Sequence, residues 1–299
     1  MYHVPVLLAE SIDALITDPD GVYVDATYGG GGHSKEILKR LSPTGKLFAF
    51  DQDEEAIRNR IDDPRLVLIQ SNYRFFENYL RFYKAVPVSG ILADIGVSWH
   101  QFDAPYRGFS VRFDEEVLDM RMDRKQDLDA KKLLNSYDEK KLADVLYQYG
   151  ELRNSRLLAQ KIVSFRAEKE IATLKDLKDA LKGVLKAHQE KSMLIQIFQA
   201  LRIEINDELG ALRILLKSSE DTIRSGGRLV VISYHSLEDR LVKNYLRSGN
   251  FEGTVEKDLY GNAKVPFTPA HAKPVVPGEA EITANPRSRS ARMRIGIKT

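Results

Sequence analysis

The sequence predicts an α/β protein, a doubly wound and mostly parallel sheet interrupted by an inserted all-helical module. Three observations predict it. Over residues 22–94, short apolar strands that end in an acid alternate with amphipathic helices, the rhythm of βαβ units. That rhythm stops after Asp94, and residues 127–207 carry helical periodicity with no strand signal. It resumes near residue 209 and reaches another apolar run at Leu229-Val230-Val231-Ile232-Ser233.

Each element follows in order. Asp18-Pro19-Asp20-Gly21 is a turn signal. Residues 22–25 read as a short buried strand ending in Asp25, followed by the glycine run 29–32. Ser34 is placed to cap a helix through Ile37, Leu38 and Leu41, which Ser42-Pro43-Thr44-Gly45 terminates. Residues 47–51 form a second strand ending in Asp51, and residues 66–69 a third. Residues 73–83 have helical spacing, and 88–94 is a fourth strand closing on Asp94. Residues 95–125 are rich in turn formers, charges and aromatics. Helices are expected over 128–134, 142–149, 157–165, 174–185 and 195–205. A further helix, 209–223, is expected to end at Gly226-Gly227 before the strand 229–233. Ser236-Leu237-Glu238-Asp239 reads as a capping box opening the next helix. Residues 248–285, rich in Gly and Pro, are expected to be loops with short strands. The implied division is 1–104 with 207–299 for the α/β domain and 105–206 for the helical insert.

Composition narrows the class. The 299 residues are 43% hydrophobic and 29% charged, ordinary for a globular enzyme with a full core. No apolar run approaches the roughly 18–20 residues that span a bilayer. The first ten residues lack a secretory pattern, so a cytoplasmic location and no membrane partner are expected. Cys is absent, which excludes disulfides, thiolate metal sites and a cysteine nucleophile. No His, Asp or Glu cluster has metal spacing, so no catalytic metal is expected. The net charge of +2 says little, but its distribution says more. After Glu281 no acid appears, while Arg287, Arg289, Arg292, Arg294 and Lys298 crowd the tail. Such a strip suits a polyanion, and equally a solvated terminal strand.

The glycine run lies between the first strand and the first helix of the βα rhythm. In open parallel sheets, ligands bind beyond the carboxyl ends of strands, near the point where strand order reverses. Glycines there admit a ligand to the backbone, and helix-start amides offer donors to a carboxylate. Asp51 stands about 20 residues on, where an acid accepts both ribose hydroxyls in dinucleotide folds. Read from Gly29, the last glycine of the dinucleotide fingerprint is replaced by Ser34, and no Gly-Lys-Ser/Thr follows. A glycine loop without a pyrophosphate signature favours S-adenosylmethionine. The bland alternative is a tight turn without a ligand.

Several segments together resemble one bacterial family, the MraW methyltransferases of small-subunit ribosomal RNA. They are His3-Val4-Pro5-Val6-Leu7-Leu8, Gly29-Gly30-Gly31-Gly32-His33-Ser34 and Asp94-Ile95-Gly96-Val97-Ser98 with Gln101 and Asp103. Arg107-Gly108-Phe109-Ser110, Leu118-Asp119-Met120-Arg121-Met122-Asp123, Tyr149-Gly150-Glu151 and Phe198-Gln199-Ala200-Leu201-Arg202-Ile203 continue the series. Asn206, Glu208, Gly226-Gly227-Arg228-Leu229, Ile232-Ser233-Tyr234-His235-Ser236-Leu237-Glu238-Asp239-Arg240 and Asn285-Pro286-Arg287-Ser288-Arg289-Ser290 complete it. Each is weak alone, and the ordered set from residue 3 to 290 is specific. The resemblance implies a class I methyltransferase fold with a helical insert. It implies methylation of the exocyclic N4 of one cytidine in the decoding region of 16S rRNA, within the small ribosomal subunit or a late assembly intermediate. The cofactor contacts it carries over are Gly31, Gly32, His33, Asp51, Tyr73, Asp94 and Gln101. Trp99 departs from the small hydroxyl residue expected after Ser98, and Tyr73 stands where Phe is expected.

Cytosine N4 is a poor nucleophile because its lone pair is delocalised, so alignment and a proton acceptor are the needs. Asp94 is the first acceptor candidate, though contact with the cofactor is its favoured role, and Asp103 is the second, with loop capping as its equal alternative. Substrate contacts are expected from Trp99, Arg107, His235, Arg287 and Arg289, where Arg107 and His235 also have internal structural readings. Methylation at cytosine C5 normally uses a cysteine, which this chain lacks. A small-molecule methyltransferase, a cofactor-sensing ribosome-assembly factor and a nicotinamide dehydrogenase are competing readings.

Overall fold

The computed structural model describes residues 5–185, 188–257 and 265–299, apart from the side chains of Trp99 and His100. His3 and Val4 of the resemblance, and the Trp99 side chain expected at the substrate, lie outside the described residues. The chain divides into two compact units, Met1–Gly96 with Leu209–Thr299, and Val97–Glu208.

The first unit is built on seven strands: β1 Val22–Asp25, β2 Lys46–Asp51, β3 Leu66–Gln70, β4 Val88–Asp94, β5 Ile223–Ser233, β6 Phe267–Pro269 and β7 Arg292–Lys298. Their order across the sheet is β3-β2-β1-β4-β5-β7-β6. The first five run parallel, and β7 is antiparallel to both β5 and β6. The order reverses between β1 and β4, so the switch point lies at their carboxyl ends, where Asp25 and Asp94 sit. Apolar side chains alternate along the strands. Val24, Phe48, Phe50, Ile91, Ala93, Leu229 and Val231 enter one core, whereas Tyr23, Leu47, Ala49, Leu92, Val230 and Ile232 enter the other. Both faces of the sheet are therefore covered, as a parallel sheet requires.

Local details depart from expectation for identifiable reasons. The first βα helix is Gly32–Arg40, and its N-cap is Gly31 in the left-handed region. Ser34 does not cap it, because its hydroxyl donates to the buried Asp25 carboxylate at 2.6 Å. The helix expected to stop at Gly226-Gly227 stops at Thr222, and those glycines belong to β5. A Cβ on Gly227 would come within 2.8 Å of the Ser89 carbonyl, so glycine there allows β5 to approach β4. The helix Ser236–Ser248 is capped one residue earlier than expected, by His235 with Glu238 at the third helical position. The helices Leu8–Leu15 and Glu54–Arg58 were not anticipated. From Arg292 on, the basic tail is a strand of the sheet, β7, whose Met293 and Ile295 point into the core.

The second unit holds helices Ala130–Ser136, Glu139–Gln148, Ser155–Arg166, Leu174–Ala180 and Glu190–Asn206. Asp129, Asp138 and Thr173 cap three of them, each accepting a backbone N–H from the first turn. The fourth ends five residues earlier than the apolar spacing suggests, ahead of Gly183 at φ 85°. One apolar cluster, drawn wholly from this unit and including Leu133, Leu146, Leu158, Ile162, Leu177 and Ile197, forms its core. Among the described residues no helix is long and apolar enough to cross a membrane.

Candidate active site

Three carboxylates mark the carboxyl rim of the sheet. Asp25, Asp51 and Asp94 end β1, β2 and β4. Asp25 is fully buried and held by the Ser34 hydroxyl and the Thr27 amide, which donates at 3.1 Å. Burial raises its pKa, and His33, Ser34 and the Thr27 amide pull the other way. It is a structural post under the glycine loop.

Asp51 faces that loop. Its Oδ2 accepts the Gly29 amide at 2.8 Å and its Oδ1 the Asp53 amide at 2.8 Å. Burial pushes its pKa up to about 6, against the two amide hydrogen bonds. Tyr73 opens the segment after β3, where the Asn72 amide group donates to Gln52, the neighbour of Asp51, at 2.8 Å. Two glycines of the loop have no room for a side chain. Gly31 takes φ 75°, and a Cβ there would meet the Tyr28 hydroxyl at 2.8 Å. A Cβ on Gly32 would meet the Pro5 ring at 2.2 Å. Helix geometry leaves the first-turn amides of Gly32, His33 and Ser34 without intrahelical acceptors. His33 is buried and bridges two structures. Its Nε2 donates to the Val6 carbonyl at 3.1 Å, and its Nδ1 lies 3.9 Å from Asp94 Oδ2.

Asp94 is held from several sides. Its amide donates to the Thr27 hydroxyl at 2.7 Å, and Tyr234 donates its phenol to Oδ1 at 2.7 Å. Burial raises the Asp94 pKa, opposed by His33 and Tyr234. Burial and Asp94 together push Tyr234 well above its ordinary value, so the phenol stays protonated. Gly96, at φ 142°, leaves space for the Tyr234 ring, which a Cβ would approach to 3.2 Å. Tyr234 is the site residue that sequence reasoning missed. It is 140 residues from Asp94, and a Tyr at a strand end carries no local signal.

Strand order β3-β2-β1-β4-β5-β7-β6 with an antiparallel β7 is an α/β methyltransferase fold. A model of the MraW methylase family matches residues 1–299. The chain belongs to the MraW methylase family. A relative from Phocaeicola vulgatus, named Ribosomal RNA small subunit methyltransferase H, is 51% identical over 298 residues, covering 100% of this chain and 98% of its own. A Flavobacterium johnsoniae relative of the same name is 52% identical, covering 99% and 98%. The crystal structure of an rRNA methylase from Streptococcus thermophilus is 13% identical, with a TM-score of 0.40 over 97% of this chain and 93% of that one.

In this methylase, Gly31, Gly32, His33, Asp51, Tyr73 and Asp94 come together on one rim of the first unit. Gln101 and Asp103 belong to the second unit and are described there. Gln101 is buried, its side-chain Oε1 accepting the Ser98 backbone amide at 3.1 Å while its backbone amide donates to the Ser98 hydroxyl at 3.3 Å. Asp103 pairs with Arg112 at 2.6 Å on an exposed surface. Arg107 corrects an expectation. Its side chain is fully buried and Nη2 donates to the carbonyls of Arg121 at 3.0 Å and Met122 at 3.3 Å. A guanidinium enclosed in this way braces its own loop and does not present itself to an RNA phosphate. His235 caps the helix Ser236–Ser248, with Nε2 3.0 Å from Glu238. Of the basic tail, Arg294 is consumed by Asp239 at 2.6 Å. Arg287 is half-buried and Arg289 exposed on the short turn Pro286–Ser290.

Proposed function

We propose that this methylase transfers a methyl group from S-adenosylmethionine to the exocyclic N4 of one cytidine in the decoding region of 16S rRNA. The observation that carries the reading is the rim: a glycine loop closed to side chains at Gly31 and Gly32, Asp51 opposite it, and Asp94 gripped by Tyr234 at the switch point. The name shared by the relatives supports small-subunit rRNA as the substrate.

The residues present fit the cofactor. Asp51 spends one lone pair of each oxygen on a backbone amide, which leaves acceptor capacity for two vicinal hydroxyls. The first-turn amides of Gly32 and His33 suit an amino-acid carboxylate. Gly31, Tyr73, Asp94 and, from the second unit, Gln101 complete the proposed set. Bound there, S-adenosylmethionine supplies an electrophilic methyl group. The chain's own residues orient the acceptor and handle the proton. Asp94 is the first candidate to hydrogen-bond the N4 amine and take its proton, and its raised affinity for protons favours that exchange. Tyr234 fixes one oxygen, and the other lies 3.9 Å from His33 Nδ1, beyond hydrogen-bond distance. Asp103 remains the second candidate, provided its exposed pair with Arg112 opens. The target base must leave its stack to reach the rim. Trp99, His235, Arg287 and Arg289 are the proposed RNA contacts, and a substrate in the small subunit, at assembly or after it, implies a cytoplasmic site of action.

Isolated small subunits supplied with methyl-labelled cofactor test the reading. One labelled cytidine, with the label on N4 by mass spectrometry, is the expected product. Label on another position, or none, overturns it.

A further inference from the structure

Tyr234 has two sides. Its hydroxyl reaches Asp94, and it also forms a wall of a separate cleft of about 330 Å³. Arg289, Ser290, Arg292 and Ser236 give that cleft its polar side, and Val276 and Ile282 an apolar side. Among the described residues that line it, none is acidic. Behind the lining, Glu238 pairs with His235 at 3.0 Å, and Asp239 takes Arg294 at 2.6 Å and Arg292 at 3.3 Å. Arg292 and Arg294 share the Asp239 carboxylate, which leaves one positive charge of that pair unmatched on the side of the cleft that holds Arg289. Arg292 is 54% exposed, and Arg289 is exposed on its turn.

This combination matches one chemical class. A nucleotide is anionic at its phosphate, offers hydroxyl acceptors at its sugar, and has a flat apolar face at its base. The volume is at the small end of the range for ligand sites. Extruding a base from an RNA stack costs several kcal/mol, and gripping the strand beside the extruded nucleotide offsets that cost. We propose that the cleft holds the nucleotide adjacent to the target cytidine. Arg289 and Arg292 bind its phosphate, Ser236 and Ser290 its sugar edge, and Val276 with Ile282 supports the base without reading its identity. Tyr234 is then the partition between this neighbour and the reacting base. The assignment rests on the RNA reading above and adds a second, sequence-tolerant subsite to it.

The test compares Arg289→Ala, Arg289→Lys and Ser290→Trp with the wild type on isolated small subunits at several salt concentrations. Arg289→Ala is expected to raise KM for subunits about tenfold, as loss of one charge-assisted phosphate contact does. Its salt dependence is expected to lose about one unit of log–log slope. Arg289→Lys restores the slope, because lysine keeps the charge, and Ser290→Trp raises KM by filling the cleft. Affinity for S-adenosylhomocysteine, measured by calorimetry, stays within about twofold, which separates RNA grip from misfolding. Unchanged KM and slope in both Arg289→Ala and Ser290→Trp overturn the assignment. So does an Arg289→Ala effect confined to free cytidine monophosphate. Wild-type protein that methylates no subunit RNA defeats the underlying function instead, so the two failures are distinguishable.

Discussion

Asp51 shows how a single carboxyl links burial to ligand affinity. Its pKa is raised from 3.8 to about 6, with burial as the leading cause. The sign is the reverse of an ordinary surface acid. The folded state holds the proton more tightly than the unfolded chain, so between about pH 4 and 6 this group makes the free protein less stable as pH rises. Ligand hydroxyls prefer the ionised form, which has acceptors only. Affinity for S-adenosylhomocysteine should therefore be flat above about pH 6 and fall by up to tenfold per unit below it. Asp51→Asn should bind at least tenfold more weakly at pH 8 and lose the slope that Asp51 supplies. Calorimetry from pH 5 to 8 on both proteins checks this, and parallel pH curves would remove Asp51 from the proposed site. Tyr234 acts on Asp94 in the same local currency, donating one hydrogen bond that favours the charged carboxylate.

At the scale of the element, the strand–loop–helix unit from β1 to Arg40 depends on two backbone demands. Gly31 must adopt φ 75° beneath the Tyr28 hydroxyl, and Gly32 must lie against Pro5, one residue before the carbonyl that receives His33. Gly31→Ala and Gly32→Ala should each cost about 1–3 kcal/mol, lower Tm by several degrees and weaken S-adenosylhomocysteine binding. Gly183→Ala is the contrast: its φ is 85° but nothing lies within 4 Å, so strain should lower Tm while binding holds. Thermal melts with and without ligand read both effects, and equal binding loss in all three variants would defeat the argument. The glycine run was legible in the sequence because a period of two followed by glycines and then a period near 3.6 is a local pattern. Strand-end acids were legible for the same reason. The cap at His235 was not, since Ser236 has the better propensity and only the Glu238 contact decides between them. Arg107 stayed open between a phosphate contact and an internal role because a long cation usually belongs to the surface, whereas its burial depends on the carbonyls of Arg121 and Met122, 14 and 15 residues on.

At the scale of the molecule, the apolar clusters respect the division of the chain. Both cores of the sheet draw only on residues before 97 and after 208, and the helical core draws only on those between. The proposed cofactor residues follow the same division except for Gln101. If the helical unit chooses the RNA and the sheet holds the cofactor, the two activities should separate. We predict that replacing Val97–Glu208 with a short Gly/Ser linker yields a folded sheet unit, judged by circular dichroism and a cooperative melt. It should bind S-adenosylhomocysteine within about tenfold of the intact protein, the cost of losing one Gln101 hydrogen bond. Methyl transfer to isolated small subunits should be abolished. Transfer to the same cytidine by the shortened protein would place RNA selection in the sheet unit, and failure to fold would show that the sheet's cores need the helical unit. Binding without transfer is the outcome that assigns substrate choice to the inserted helices.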